Sequence, residues 1–280
     1  VLSACKQFDD LAPLHNPPML ACVDAFRKAL PNTPMAAVFD TAFHQTMKET
    51  EFIYPVPYEW YTKYGVRKYG FHGTSHRFIN KTISEVMGRN DLKVISCHLG
   101  SGASICAIDA GKSVDTTMGF SPLAGLMMGT RSGDMDASII PFIMNKENKT
   151  CDEVMNELNK KSGFLGVSGT GSDSRDIEDG IAAGNERCVL AQNIFCQRVA
   201  NYIAMYNNLL NGADVIVFTA GIGENSIDSR VEIGEKIASL GVKIDTAVND
   251  FRGKLKKIST EDSKIPVYVV PTNEELMIAL

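Results

Sequence analysis

The chain has 280 residues, of which 44% are hydrophobic and 22% charged, and its formal net charge is -5. These values are typical of a globular protein with one large or two ordinary domains. The negative charge disfavours nucleic acid as a partner, and no run of eighteen apolar residues predicts a membrane span. The seven cysteines form no C-x-x-C pair. We therefore expect reduced thiols, a cytoplasmic location and no structural zinc site.

The first part of the chain predicts a helix followed by a strand that ends in a carboxylate. Asn16 as N-cap and Pro17 at the first helical position begin a helix that runs to Leu30. Residues 35–40, MAAVFD, predict an apolar strand that ends at Asp40. An acid in that position can bind a metal or accept a proton, or it can cap a helix, and the sequence leaves these interpretations open.

Two histidines, His72 and His76, open an amphipathic helix. The segment FHGTSH leads into apolar positions that include Ile79 and Ile83, and Gly88 is predicted to end the helix. Histidines four residues apart can bind a metal from one helix face, but no acid lies beside them at metal-binding spacing. We therefore do not expect zinc here.

Residues 93–108, KVISCHLGSGASICAI, predict two apolar strands joined by Gly100-Ser101-Gly102. Such a hairpin tip leaves backbone N–H groups uncovered and can hold a phosphate, although a plain turn has the same composition. Residues 113–117 predict a third antiparallel strand. Because helices and further strands follow, we expect a mixed sheet with helices on its faces.

A second strand that runs into glycines, DVIVFTAGIGEN, occupies residues 214–225. It predicts a strand over 214–219, a glycine loop over 220–225 and a helix from Ser226 to Leu240. The N–H groups at the start of a helix favour an anion. Two strand-to-glycine segments in one chain therefore predict a nucleotide that is held from two sides.

Two glycine-rich segments, 119–136 and 163–176, are predicted to be irregular. Long irregular segments inside a domain are often functional. Arg131 in the first segment could grip phosphate oxygens with its guanidinium. A surface ion pair of Arg131 with Asp134 or Asp136 is the competing interpretation.

Two helices are predicted to flank the second glycine-rich segment. They cover residues 151–161 and 186–211, and the apolar face predicted for the longer one includes Leu190.

The C-terminal part of the chain predicts a strand over 265–270 and then a helix. Thr272 and Glu275 have the spacing of a capping box at the start of that helix. This assignment leaves Glu274 free for another role.

Eight motifs together resemble the acetokinase family, within the superfamily of acetate and sugar kinases, heat-shock proteins and actin. They are LAPLHNPP, VFDTAFH, YGFHGTSH, HLGSGAS, GFSPLAGLMMGTRSGDMD, SGTGSDSRD, FTAGIGENS and PTNEELMIA. The resemblance implies an α/β actin-like ATPase (ribonuclease H-like) fold with mixed sheets, helices on their faces and two lobes. It places the remainder of an N-terminal acyl-substrate domain at 1–90 and a nucleotide-binding domain at 91–280, and it leaves open a return of the C-terminus to the first domain.

The resemblance also implies an activity. The family transfers the γ-phosphoryl group of ATP to acetate, reversibly and with Mg²⁺, which gives acetyl phosphate and ADP, and it suggests a homodimer. A propionate or butyrate kinase and an inactive nucleotide-binding fragment are the alternatives. An actin-like or chaperone ATPase is disfavoured by the segments around His72 and Arg131.

Site residues are carried over from the family motif by motif. The catalytic residues implied are Asp40, His72 and Arg131, and the magnesium-site residue implied is Glu274. The acyl pocket implied is Leu14, His15, Phe71 and Pro122, although His15 reads equally well as a loop histidine bonded to backbone. The nucleotide contacts implied are His98, Leu99, Gly100, Ser101, Gly102, Asp173, Ser174, Arg175, Gly221, Ile222, Gly223, Glu224 and Asn225.

The chain departs from the family pattern at two points. Ser101 stands where the family usually has Asn, which puts a phosphate or metal contact at that position in question. The chain starts with Val1 rather than Met and stops at Leu280 within a predicted helix. We therefore expect a piece of a longer protein, without the first quarter of the family pattern and without the arginine that partners Arg131.

Overall fold

A computed structural model of the chain describes residues 2–6 and 16–280. It divides the chain into two units, Val1–Phe39 and Asp40–Leu280. Leu14 and His15 lie outside the described residues. The predicted division between residues 90 and 91 stays a prediction. No helix within the described residues is both long and apolar enough to cross a bilayer.

The first unit contains helices α1 (Leu2–Lys6) and α2 (Asn16–Ala29), and the second agrees with the prediction from Asn16 and Pro17. The strand predicted over 35–40 is wrong. Residues 34–39 are irregular, and the side chains of Val38 and Phe39 are exposed. No strand in the described residues pairs with this segment, so its apolar composition alone does not make it a strand.

The helices and strands of the second unit run as follows. Its helices are α3 (Glu49–Phe52), α4 (Tyr58–Tyr64), α5 (Gly73–Met87), α6 (Ile139–Glu147), α7 (Cys151–Lys160), α8 (Gly163–Ser168), α9 (Ser174–Ala182), α10 (Glu186–Leu209), α11 (Ala220–Asn225), α12 (Ile227–Lys236) and α13 (Glu274–Ala279). Its strands are β1 (Lys93–Leu99), β2 (Ala103–Asp109), β3 (Lys112–Thr116), β4 (Val215–Thr219), β5 (Lys256–Lys257) and β6 (Val267–Val269). Short 3-10 helices cover Ala42–Thr46 and Ala238–Leu240.

The six strands form one mixed sheet in the order β3-β2-β1-β4-β6-β5. The first three strands make the predicted antiparallel meander. β4 lies parallel to β1, in a register that places His98 opposite Thr219, and β6 lies parallel to β4. The prediction of a mixed sheet is confirmed.

Helices cover both faces of this sheet. On one face, Ile79 and Ile83 of α5 pack against alternate residues of β1 and β4 such as Val94. On the other face, Phe195 and its neighbours along α10 pack against the intervening residues of the same strands. Because both faces are buried, the central strands are mostly apolar, with the sequences KVISCHL in β1 and VIVFT in β4.

Four local predictions are wrong. The segment 163–176 contains α8 and the start of α9, because Phe164 is buried against the ring of Phe195 and this packing outweighs the glycine content. The predicted loop 220–225 is the short helix α11. Leu190 of α10 is 52% exposed.

The fourth wrong prediction is the capping box of α13. Its N-cap is Asn273, whose side chain accepts the N–H of Leu276 at 2.9 Å. Thr272 instead bonds Ser75 of α5 through the two hydroxyls, 2.8 Å apart. Glu275 is exposed.

The N-terminal end of α8 holds the segment that carries Arg131. The N–H groups of Ser162, Phe164 and Leu165 donate to the carbonyls of Thr130, Met128 and Gly129, at 2.9 to 3.0 Å. The first N–H groups of a helix are more often bound by a capping side chain, and here these backbone carbonyls take its place. The irregular segment 119–136 is thereby fixed by backbone contacts.

We predict that Gly163→Ala destabilises the protein more than Gly184→Ala does. Both glycines have positive φ, 62° and 79°, a conformation that costs an alanine about 1 kcal/mol or more. An added Cβ at Gly163 would also overlap the carbonyl oxygen of Met128, whereas Gly184 has open space. We therefore expect an additional loss of about 1–3 kcal/mol for Gly163→Ala, measured by urea unfolding. Equal losses in the two variants would contradict this packing.

Candidate active site

The two glycine segments predicted from the sequence meet at one edge of the sheet. At the hairpin between β1 and β2, the N–H of Gly100 donates to the carbonyl of Gly102 at 3.1 Å. A Cβ added to Gly100 would lie 3.6 Å from the Cβ of Ala220 and 3.9 Å from the N atom of Gly221. The parallel pairing of β1 with β4 produces this proximity, since it places the ends of both strands side by side.

A cleft of about 360 Å³ opens beside these glycines. It is lined by eight of the residues predicted as nucleotide contacts: Gly100, Ser101, Asp173, Ser174, Arg175, Gly221, Ile222 and Asn225. Four further residues, Ser172, Glu178, Ser226 and Arg252, line it without having been predicted. Arg252 lies in an exposed turn with a single glycine, Gly253, and Glu178 lies in the middle of α9, so neither stands out in the sequence.

Five residues predicted as nucleotide contacts do not line this cleft: His98, Leu99, Gly102, Gly223 and Glu224. Leu99 belongs to the core. One carboxylate oxygen of Glu224 accepts the N–H groups of Ala220 and Thr272, at 2.8 and 3.1 Å. This carboxylate therefore joins the start of α11 to the segment before α13. His98 and Gly102 instead lie beside the imidazole of His72.

A charged pair lies at the outer end of the cleft. The guanidinium of Arg175 donates to both carboxylate oxygens of Asp173, at 3.0 and 2.6 Å. These bonds hold the pKa of Asp173 at about 2. The same carboxylate accepts the N–H of Arg175 and so caps α9. Arg175 is 80% exposed, and its side chain borders the cleft without being enclosed.

Asp40 caps helix α5 from outside the helix. Its two carboxylate oxygens accept the N–H groups of His72 and Thr74, at 2.6 and 3.3 Å, and its carbonyl accepts that of Gly73 at 3.0 Å. Asp40 is therefore not the N-cap of the helix that follows it in sequence, which is Thr41, and instead binds N–H groups at the start of a helix that begins 33 residues later. His72 adopts a left-handed conformation with φ 56°, which turns the chain into α5.

The side chains of His72 and Arg131 converge on Gly102. A Cβ at Gly102 would lie 3.4 Å from Nε2 of His72 and 3.6 Å from Nη1 of Arg131. The glycine therefore leaves room for a group that both side chains can reach. The structure thus brings together two of the three residues that the resemblance implies as catalytic.

Arg131 has no carboxylate partner among the described residues. Its Nη1 donates to the carbonyl of Pro122 at 3.3 Å. The competing interpretation, an ion pair with Asp134 or Asp136, is wrong, because those carboxylates accept hydrogen bonds from Gly125, Tyr202 and Ser138. Half-burial lowers the pKa of Arg131, whose guanidinium nevertheless stays charged at neutral pH.

Four of the five histidines, His44, His72, His76 and His98, form one cluster beside this point. Burial lowers the pKa of His72 to about 4 and those of His76 and His98 well below their usual value. All three imidazoles are therefore neutral at pH 7. Nδ1 and Nε2 of His76 both bond serine hydroxyls, so this histidine offers no free nitrogen to a metal.

Glu274 lies at the start of α13, near enough to Asp40 for the two charges to interact. Burial and the negative charge of Asp40 raise the pKa of Glu274. Neither carboxylate forms an ion pair with Lys or Arg in the part of the chain that the structure describes. Two carboxylates without a cation partner are chemically suitable oxygen ligands. Of the predicted acyl-pocket walls, Phe71 adjoins His72, and Pro122 bonds Arg131.

Arg230 is a fully buried cation that the sequence analysis missed. Its guanidinium donates to the side chain and carbonyl of Asn249 and to the carbonyls of Gly223 and Phe251, at 2.7 to 3.2 Å. It lies three residues before the buried Ile233 on α12, so helical periodicity would have placed it on the inner face. It joins α11 to the turn that carries Arg252.

Comparisons with known proteins agree with the fold and the motifs. The Acetokinase family profile matches residues 1–280. Acetate kinase of Treponema denticola is 56% identical over 281 residues, which cover all of this chain and 71% of that protein. The crystal structure of Porphyromonas gingivalis acetate kinase matches with a TM-score of 0.95 at 45% identity, over 99% of this chain and 70% of that one. A propionate kinase from Francisella tularensis gives a TM-score of 0.96 at 43% identity, over 99% and 71% of the two chains.

These matches confirm the predicted α/β fold of the actin-like ATPase type. They also agree with the order of motifs along the chain, from the segment before α2 to the start of α13. By its sequence over all 280 residues and by its fold, this chain belongs to the acetokinase family.

Proposed function

We propose that this protein transfers the γ-phosphoryl group of ATP to acetate, directly and reversibly, to give acetyl phosphate and ADP. The observation that carries the proposal is the convergence of His72 Nε2 and Arg131 Nη1 on Gly102. This point adjoins the hairpin that lines the nucleotide cleft. The curated relatives, which are acetate kinases, support the same reaction.

The geometry suits phosphoryl transfer, which depends on positioning and on neutralising charge more than on covalent participation by the protein. Arg131 provides a permanent cation, and His72 provides a neutral imidazole. Acetate is ionised at neutral pH and needs no general base. The role we assign to Asp40 is therefore to hold the start of α5 and to contribute a ligand, rather than to remove a proton.

Mg²⁺ is the cofactor we propose, and Asp40 and Glu274 are the residues that would hold it. Mg²⁺ prefers oxygen ligands and is usually bound through one or two carboxylates together with substrate phosphates. When bound, it supplies positive charge to the phosphate oxygens of ATP. We further propose a cytoplasmic homodimer. The family resemblance suggests the dimer, and the seven free cysteines are compatible with a reducing compartment.

Propionate is the competing acceptor, because the Francisella propionate kinase matches this fold as well as the acetate kinase does. The choice depends on the room beside the proposed pocket residues Phe71 and Pro122. One methylene group changes the binding free energy in such a pocket by only about 1–3 kcal/mol. We therefore expect a preference for one acid over the other rather than complete exclusion of either.

The test of this function is acyl phosphate formation, trapped with hydroxylamine, from Mg·ATP with acetate, propionate or butyrate. Turnover with acetate at the highest kcat/KM supports the proposal. A preference for propionate or butyrate would replace acetate as the substrate. A folded chain that binds Mg·ADP without turnover would instead be an inactive nucleotide-binding fragment.

We predict that Arg131→Ala lowers kcat by roughly 10²–10⁴-fold, since it removes a charge that neutralises the transferring group. Arg175→Ala is the matched control, because this arginine borders the cleft but lies away from Gly102. We expect it to raise KM for ATP with little change in kcat. Initial rates at varied ATP measure both constants. An Arg131→Ala variant with the wild-type kcat would remove Arg131 from the reaction.

We predict that Glu274→Gln raises the melting temperature at pH 7 but not at pH 4. Because the pKa of Glu274 is raised in the folded chain, the folded state binds more protons than the unfolded state between the ordinary and the raised pKa. Stability therefore falls as the pH rises through this interval. Glutamine cannot ionise and avoids the loss.

The matched control for this prediction is Glu275→Gln, at the exposed neighbouring position. Thermal unfolding without Mg²⁺ at both pH values gives the comparison. Equal shifts in the two variants, or a lower melting temperature for Glu274→Gln at pH 7, would contradict it.

A further inference from the structure

The hydroxyl of Ser104 lies between two histidine rings. Its Oγ is 2.9 Å from Nδ1 of His72 and 2.8 Å from Nε2 of His76. The other nitrogen of His76, Nδ1, is 2.8 Å from Oγ of Ser96. We name the series of three side chains, from His76 through Ser104 to His72, the serine–histidine relay, and Ser96 is a neighbour outside it. Ser96, His76 and Ser104 are completely buried.

The protons of the relay can be arranged in only two ways. Ser104 has one proton, so it donates to one imidazole and accepts from the other, and each neutral imidazole carries one N–H. In the first arrangement, Ser96 donates to His76, His76 donates from Nε2 to Ser104, and Ser104 donates to Nδ1 of His72. The proton of His72 is then on Nε2. In the second arrangement every bond is reversed, and Nε2 of His72 carries a lone pair.

The surroundings of Nε2 decide between these arrangements. Nε2 faces the space beside Gly102, which Arg131 also reaches. Under the proposed function, on which this inference rests, the oxygens of the transferring phosphoryl group are anionic. A lone pair on Nε2 would repel such an oxygen, whereas an N–H would donate a hydrogen bond to it.

We propose that Ser104 and His76 are positioning residues that hold His72 as the Nε2–H tautomer. In this form Nε2 of His72 donates a hydrogen bond to a phosphoryl oxygen. Ser104 acts by donating its proton to Nδ1. His76 acts by keeping the acceptor side of Ser104 occupied.

Three contacts fix the orientation of His72. Its backbone N–H donates to Asp40, and its ring stacks on the ring of His98, with centroids 4.0 Å apart and planes at 20°. Its Nδ1 meets Ser104. Nε2 is the one polar ring atom of His72 without a partner among the described residues. The backbone, one ring face and Nδ1 of His72 are therefore held, and only Nε2 is left for a substrate.

The variant that tests the relay is Ser104→Ala, with Ser96→Ala as its matched control. Each removes one buried hydroxyl from His76, but only the first removes the partner of His72. In metal sites, loss of the group that orients a ligating histidine lowers activity about 10–100-fold, and we take this as the scale for a hydrogen bond that orients His72. We expect this loss in kcat for Ser104→Ala, with KM for Mg·ATP within about twofold of the wild-type value, and a kcat within about threefold of wild type for Ser96→Ala.

Two kinetic outcomes would overturn the inference. One is an unchanged kcat in Ser104→Ala. The other is an equal fall of kcat in both variants, which would mean that the hydroxyls matter only for packing around His76. Acyl phosphate formation by the wild-type chain is measured beside both variants, and its absence would refute the proposed function rather than the relay.

A spectroscopic measurement tests the relay without turnover. The imidazole ¹⁵N spectrum of the wild-type protein at pH 8, with Mg·ATP and no acetate, reports which nitrogen of each histidine carries the proton. Comparison with His72→Gln assigns the signals of His72. We expect protonation at Nε2. Protonation at Nδ1 would overturn the inference, whether or not the chain is active and whether or not Ser104→Ala folds.

Discussion

The parallel pairing of β1 with β4 is the constraint on which the site depends. An antiparallel strand in the place of β4 would carry its glycine segment to the opposite edge of the sheet. With His98 opposite Thr219, the Gly100–Gly102 hairpin and the start of α11 lie side by side and border one cleft. Close packing of both sheet faces, by α5 on one side and α10 on the other, favours this register, since a slip of one residue would turn the side chains that fit one helix toward the other helix.

The side chains proposed for catalysis are positioned mainly by backbone groups. His72 lies at the start of α5, where Asp40 accepts two of the first N–H groups. Arg131 lies on a segment whose carbonyls accept the first N–H groups of α8. In both cases a helix start, which always leaves N–H groups without intrahelical partners, is used to anchor an irregular segment. The side chains proposed for catalysis therefore lie on short segments that are anchored to the N-terminal ends of helices.

Much of this arrangement can be predicted from local pattern and family motifs, and the rest depends on distant contacts. The strands of the hairpin and helix α5 follow from β-branched runs, glycine turns and apolar periodicity. Residues 35–40 resemble a strand equally well, but no strand in the described residues pairs with them. Helix α8 depends on Phe164 meeting a ring 31 residues away, and the bonds of His76 to serines 20 and 28 residues away follow no local pattern. The residues predicted as ligands of nucleotide, metal and acyl group remain predictions.

The burial of Arg230 has a consequence for how the cleft responds to its medium. Its charge is solvated by carbonyl and amide oxygens rather than neutralised by a carboxylate in the described residues. Mobile ions screen exposed charges over about 8 Å at physiological ionic strength, but they screen a buried charge much less. The cation bonds Gly223 and Phe251, which adjoin the cleft residues Ile222 and Arg252. Arg230 therefore gives this wall of the cleft a positive potential. Added salt weakens this potential far less than it weakens the attraction between an exposed arginine and an anion.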